Sequence, residues 1–382
     1  MTLLLSSLPL RRFSRLGFGI LLLLHSGRSS AAPAAEPALD IRDVFVGGTE
    51  GYPAYRIPAI LATSRGTLLA FAEGRATLRD HAENDLVLKR SFDRGDTWTP
   101  LMVVAEDGTN ALNNPTAVVV RETGRILLMH QRYAKGFDER KAEPGLDGPR
   151  ICRTFLSSSD DDGATWSTPR DITAAVKRPA VVTSTATGPG IGIQLRHGPH
   201  AGRLLMPFNQ GPYGAWKVYA AISDDRGESW RVGQTAEDTG HGFANEVQMA
   251  ELPDGSVLLN ARNQAGAKTR KSALSKDGGE TWSRLKEEPA LIDPQCQGSL
   301  LAVSSGSLGE VLLFCNAAST TARSNGTVRV SRDQGKTWPL ARSVYPGSFA
   351  YSCLVSLPEG AVGCLFERDQ YARISFVRFP LP

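Results

Sequence analysis

Two recurring sets of positions in this 382-residue chain are polar, apart from one glycine, where a strand interior should be apolar. Nine or ten residues before six turn glycines lie Arg56, Asn114, Gly192, Glu246, Ser299 and Tyr351. Seven residues after the same glycines lie Glu73, Gln131, Asn209, Arg262, Asn316 and Glu367. Three arginines stand out: Arg56 in Tyr55-Arg56-Ile57-Pro58, Arg262 in Asn260-Ala261-Arg262, and Arg323 before Ser324-Asn325-Gly326. Guanidinium forks bind carboxylates bidentately and stay charged, so several converging on one place imply an anionic substrate. Their mutual repulsion calls for a counter-charge, which Glu367 or Glu73 would supply. Separate surface ion pairs are the competing account, and they fit Arg323 best because it lies off the recurring positions.

The elements that must carry these residues are hairpins. Each turn ends in Gly and runs into an apolar strand, as in Arg65-Gly66-Thr67-Leu68-Leu69-Ala70 and Glu359-Gly360-Ala361-Val362-Gly363-Cys364. Out of phase with them, the pattern S-x-D-x-G-x-[ST]-W begins at Ser91, Ser159, Ser223, Ser275 and Ser331. Its Asp and Gly are turn chemistry, and its Trp is an apolar plug whose N–H wants a partner. A calcium-loop reading fits only Asp160-Asp161-Asp162-Gly163, since the other copies lack the extra carboxylates. Six all-β units of about fifty residues predict a six-bladed β-propeller whose last unit lacks a box. In an antiparallel hairpin the two polar sets face each other at the open end, so both should ring one mouth of the channel. Tyr133 to Arg150 reads as an insertion overhanging that mouth or as a surface loop, and Thr183 to Gly198 carries the same two readings.

Arg11, Arg12 and Arg15 precede the apolar run Leu16 to Leu24, with small residues around Ala31-Ala32. That pattern predicts a secretory signal peptide over 1–32, too short to span a membrane, followed by a linker over 33–42 and the propeller over 43–382. Export to the periplasm or the exterior follows, and the Arg11-Arg12 pair points to the twin-arginine route. Cleavage takes four of the 43 bases and none of the 39 acids, so the remainder is balanced and nothing suggests nucleic acid. The five Cys show no metal spacing and four neighbour apolar strands, which predicts buried free thiols. His197-Gly198-Pro199-His200 reads as a loop rather than a ligand pair. Asn325-Gly326-Thr327 is a glycosylation sequon only in a eukaryotic secretory route.

Tyr-Arg-Ile-Pro, the five boxes, Asn245-Glu246-Val247-Gln248, Asn260-Ala261-Arg262 and a late Tyr resemble the exo-α-sialidase (neuraminidase) family over about residues 43 to 380. The boxes occur in unrelated propellers, whereas the arginine and glutamate motifs together are specific. The resemblance implies that Arg56, Arg262 and Arg323 clamp the substrate carboxylate. It implies Tyr351 as nucleophile, Glu246 as the carboxylate that activates it, and Asp80 in Arg79-Asp80-His81-Ala82-Glu83 as acid/base. Glu367 would steady the first arginine, and Arg75 would lie near the carboxylate and O4 side. No cofactor or metal is implied. The N-acetyl pocket is not assigned by motif.

That set suits its chemistry. A sialic acid carries its carboxylate on the anomeric carbon, so a carboxylate nucleophile would approach against like charge. A neutral phenol avoids this but needs an adjacent base, and sialidases are the known Tyr-nucleophile exception among glycosidases. The expected substrates are sialylated glycoproteins, glycolipids or oligosaccharides. The rivals are a hydrolase or transferase of a related 2-keto-3-deoxy sugar acid, and a non-catalytic glycan-binding propeller, against which Tyr351, Glu246 and Asp80 all stand present.

Overall fold

The structure, a computed structural model, describes residues 39–304 and 309–381. The signal-peptide reading and residues 33–38 of the linker lie outside the described residues. Among the described residues the antiparallel pairings between sequence neighbours fall into six runs of four, of which the first two, and likewise the last two, are joined into one hydrogen-bonded sheet. The first run is Ala54–Ala62, Leu68–Arg75, Asn84–Ser91 and Met102–Ala105. The second is Ala111–Val119, Ile126–Tyr133, Arg153–Ser159 and Arg170–Asp171. The fourth is Phe243–Glu251, Val257–Gln264, Thr269–Ser275 and Lys286–Ile292. Ser299–Ser304, Glu310–Ala317 and Ser324–Ser331 make the fifth with the first half of the long strand Leu340–Ser356. The second half of that strand opens the sixth, followed by Ala361–Arg368 and Arg373–Pro380.

The sixth run is completed by Ile41–Val46, whose Ile41 pairs with Val377. The propeller therefore begins inside the segment read as linker, because Leu39 and Ile41 pack on the apolar core of the last run. The innermost strands touch their neighbours in a closed cycle, sixth against first included. These runs are the blades of a β-propeller. Innermost strands are packed on both faces, which is why Ala54–Ala62 is buried almost throughout. Among the described residues no helix is long and apolar enough to cross a membrane.

The third blade corrects the sequence reading. Its innermost strand is broken into Thr185–Thr187 and Ile193–Gln194, both paired with Leu204–Gln210. Gly188-Pro189-Gly190 separates the pieces: Pro offers no N–H to a ladder, and Gly190 has φ +129°. Gly190–Ile191 pairs instead with the innermost strand of the second blade. Thr183 to Gly198 is thus this blade's inner strand rather than an insertion, although its Ser184 and Ala186 do wall the cleft at the mouth, and Asn209 faces Ala186 rather than Gly192. The outer strands follow as Lys217–Ser223 and Arg231–Val232.

Each box is a turn closed on itself and clipped to the blade before it. In the first, Ser91 Oγ donates to Asp93 Oδ1 (2.8 Å) and accepts from Gly95 N (2.8 Å). The other four repeat this bond pair. A Cβ on Gly95, Gly227 or Gly335 would collide with Phe376, Leu127 or Leu258, and one on Gly163 or Gly279 would crowd Leu69 or Leu205 at 3.0 Å, each from the preceding blade. In the Asp-rich copy Asp160 pairs with Arg125 and Asp162 accepts from Thr67, so its extra carboxylates hold protein donors. Of the five box tryptophans only Trp230 gives its indole N–H to a protein acceptor, the carbonyl of Gly227 (3.0 Å). The expectation of a partner fails for the other four, whose role is packing. All five cysteines are free and buried.

Candidate active site

The polar rings are built on β-bulges. Regular pairing in the first blade runs to Arg56 opposite Glu73 and breaks before Ala59, at Ile57-Pro58. The fourth blade breaks at Glu246 and the sixth at Ala350-Tyr351. A bulge re-aims its side chain, and here it turns Glu246 and Tyr351 out of strict alternation at the open end. The backbone cost falls on Ile57 and Asn114, both at positive φ (62° and 57°).

Much of the second ring pays out its hydrogen-bonding capacity to those bulges. Glu367, fully buried, accepts from Ile57 N (2.9 Å), Tyr351 N (3.1 Å), Arg56 Nε (2.7 Å) and Arg56 Nη2 (3.3 Å). Glu73 repeats this one blade on, accepting from Asn114 N (2.7 Å), Arg75 Nε (2.7 Å) and Asn113 Nδ2 (3.2 Å). Gln131 Oε1 accepts from Thr187 N (3.0 Å). Each of these side chains pins the inner strand of the next blade.

The three arginines meet around Tyr351. Arg262 Nη1 donates to Glu246 Oε2 (2.6 Å) and to Tyr351 Oη (3.2 Å). The guanidiniums of Arg56 and Arg323 lie 5.1 and 5.4 Å from the centre of the Tyr351 ring. Tyr351 Oη donates to Glu246 Oε1. Burial first, then the charge of Glu246, push the phenol well above its ordinary value, while Arg262 and Arg323 pull it down. Burial works against the charges of Arg56 and Arg262, but Glu367 and Glu246 respectively outweigh it and keep both firmly protonated.

Asp80 sits on the loop between the second and third strands of the first blade. Its carbonyl accepts from Asn84 Nδ2 and Asn113 Nδ2, both at 2.8 Å. Its carboxylate reaches Arg75 Nη1 at 3.0 Å and Arg56 Nη1 at 3.5 Å, with a side chain 68% exposed. Burial of the loop opposes ionisation, yet Arg75 and then Arg56 hold the carboxyl below its ordinary range. Arg75 is itself buried against Glu73, so the structural pairing is real and Asp80 is its second partner.

A cleft of about 210 Å³ opens between these groups, lined by Asp80, Arg75, Glu246, Arg262 and Tyr351. Tyr133, Glu139 and Arg140 line it as well, so the Tyr133 to Arg150 segment does overhang the mouth. Six of the twelve ring positions line it (Asn114, Gln131, Asn209, Glu246, Arg262 and Tyr351). Of the rest, Glu73 and Glu367 turn to the bulges and Arg56 to Glu367, while Ser299 Oγ accepts from Leu354 N (2.9 Å) and Asn316 donates to Ile292 O (2.9 Å). The structure adds Tyr371, whose hydroxyl accepts from Arg323 Nη1 (3.0 Å) and whose ring lies 4.3 Å from the Arg56 guanidinium. It also adds Asn113, one residue before the ring position Asn114. Tyr371 occupies the same inter-strand loop in the sixth blade that Asp80 occupies in the first, a blade equivalence that offered the one signal for it.

The model of the BNR repeat-like domain matches residues 66–364. A sialidase from Micromonospora viridifaciens is 40% identical over 348 residues, covering 88% of this chain and 53% of that protein. An exo-alpha-sialidase from Aspergillus fumigatus is 29% identical over 346 residues, covering 84% of this chain and 80% of that one. Among solved structures, the Hadza microbial sialidase Hz136 superposes with a TM-score of 0.78 at 29% identity, covering 86% of this chain and 66% of the other. The chain spans about half the length of the Micromonospora protein. It belongs to the BNR repeat-like domain family, in the company of its sialidases.

Proposed function

We propose that this protein is an exo-α-sialidase that removes terminal α-linked sialic acids from glycoproteins, glycolipids or oligosaccharides, with retention, through a covalent tyrosyl intermediate. The observation that carries this is the Tyr351 phenol bonded to Glu246 with arginines on every side. Arg56, Arg262 and Arg323 take the substrate carboxylate. Because that carboxylate is borne by the anomeric carbon itself, a neutral phenol is the nucleophile that meets least repulsion. Glu246 removes the phenolic proton as the oxygen attacks, while Asp80 protonates the departing oxygen. The substrate carboxylate offsets the positive charge that holds Asp80 ionised in the free protein, so binding raises its pKa toward that of an acid. Asp80 then deprotonates the water that displaces Tyr351 Oη from the anomeric carbon, and Glu246 returns its proton to the departing phenolate. With the leader read over 1–32, the enzyme acts after export.

The test is release of fluorophore from an aryl α-sialoside by the wild type and by Tyr351→Phe. Turnover that falls roughly a thousandfold or more in the variant supports the assignment. Absence of turnover by folded wild type overturns it and moves the substrate to another keto-acid sugar or to glycan binding alone. Proton NMR of the first-formed product separates retention from inversion.

A further inference from the structure

Resting on the sialidase reading, we infer that His81 and Glu139 are positioning residues for Asp80, and that the segment carrying Glu139 is a strap tying the acid's loop across the cleft. The segment joins Ile126–Tyr133 to Arg153–Ser159 in the second blade. Two consecutive side chains on it reach the blades on either side, the first and the third. Glu139 Oε2 bonds His81 Nε2, next to Asp80 in sequence. Arg140 Nη2 donates to Tyr213 Oη (3.1 Å), with its guanidinium 4.7 Å from that ring's centre. Tyr213 in turn meets Trp216 edge-on at 4.8 Å. Glu139, Arg140, Tyr213 and Trp216 all line the cleft.

The acid needs such support. Asp80 has the exposed carboxylate of a loop residue, and a loop closed by Ala76 N to Glu83 O (2.9 Å) fixes its base rather than its tip. At the tip, the His81 ring lies 4.4 Å from that of Tyr133, and its Nδ1 is 3.4 Å from Asn113 Oδ1. Asn113 commits its amide hydrogens to Glu73 and to the Asp80 carbonyl, so its oxygen is what faces the ring. Both imidazole nitrogens therefore face acceptors, the arrangement of a doubly protonated ring. The anions around it are Glu139, Asp80 and Glu73; burial opposes the charge, but the bond to Glu139 prevails and raises the pKa. The His81 and Glu139 side chains are 18% and 31% exposed, so the pair is partly buried.

A residue that places the acid matters in proportion to how much the leaving group needs a proton. Wild type, Glu139→Gln and His81→Gln are compared on sialyllactose, whose sugar alkoxide must be protonated, and on a nitrophenyl sialoside, whose phenolate need not be. The readout is the ratio of the two kcat/KM values, which reports bond cleavage and is independent of the folded fraction. In each variant kcat/KM for sialyllactose is expected to fall roughly 10- to 100-fold, and for the nitrophenyl sialoside by less than about threefold. The double variant is expected to lose no more than the worse single one. An unchanged ratio in both variants, whether both substrates suffer equally or neither suffers, overturns the inference while leaving the sialidase reading intact. A wild type inert on both substrates defeats that reading, and this inference with it.

Discussion

Tyr351 and Glu246 stand on β-bulges of different blades, the sixth and the fourth, and their side chains meet in a phenol-to-carboxylate hydrogen bond across the channel mouth. Neither residue would point there from a regular strand. The phenol is held protonated by burial and by Glu246 itself, so no standing phenolate exists to attack. In the proposed mechanism its proton leaves as the oxygen attacks, toward the same carboxylate oxygen that accepts it now. Arg262 donates to both groups and steadies the negative charge wherever it resides.

Glu246→Gln keeps the shape of the side chain and removes the base. Turnover number on an aryl α-sialoside is expected to fall by about 10²- to 10⁴-fold. The Michaelis constant should not rise, because Arg262 loses an anionic partner and remains free to meet the substrate carboxylate. Steady-state kinetics with a melting curve as control checks this. A variant with near wild-type turnover would remove Glu246 from the proton transfer.

Glu367→Ala should act on the fold as well as on the chemistry. The carboxylate is the shared acceptor for two backbone N–H groups and for Arg56, which is 7% exposed. Taking one partner from a buried ion pair strands the other, at about 3–5 kcal/mol. Urea denaturation should report a loss in that range, together with loss of sialoside turnover. A loss under about 1 kcal/mol would mean that water or a neighbour replaces the carboxylate.

His130 gives the stability a pH dependence with a definite sign. It is buried and stacked 5.7 Å from Phe155, with no hydrogen-bond partner at Nδ1, and burial lowers its pKa to about 4. The unfolded chain takes up this proton near pH 6.5, the folded one only near pH 4. Stability from this site is thus complete above pH 6.5 and is lost as the pH falls toward 4, by on the order of 3 kcal/mol. His130→Leu removes the titration, so its urea midpoint should fall less than the wild type's between pH 7 and pH 4.5. Parallel falls in the two proteins would refute the assignment.

The blades and the reactive cluster could be read in the sequence because repeats and misplaced polarity are both local signals. Arg56, Glu246, Arg262, Tyr351 and Glu367 fall at a regular count from hairpin glycines, and the count works because each hairpin is continuous. It failed in the third blade, where Gly188-Pro189-Gly190 splits the inner strand and Gly192 falls away from the mouth. It also missed what Glu73 and Gln131 do, since their partners are backbone N–H groups on the next blade, which any residue can supply. Tyr371, His81 and Glu139 lie on loops between second and third strands, or beside them, where no period fixes the chain's path. Their company is set by the ring closing around the axis.

The boxes carry the last prediction, because their glycines separate two effects that usually travel together. Gly227 and Gly66 both have positive φ, 91° and 85°. A Cβ on Gly227 would lie 2.2 Å from Leu127 Cδ1 in the preceding blade, whereas one on Gly66 would meet nothing within 4 Å. Alanine at either position takes on the left-handed backbone cost of about 1–2 kcal/mol. Only Gly227→Ala adds the cost of overpacking, about 1–3 kcal/mol, since Leu127 is itself buried in an apolar cluster. Urea denaturation of the two variants should therefore rank Gly227→Ala as the less stable by that margin, with kcat/KM on the aryl sialoside unchanged in both. Equal losses would mean that the two blades part to admit the methyl group, and the box would then be a self-contained turn rather than a clip between blades.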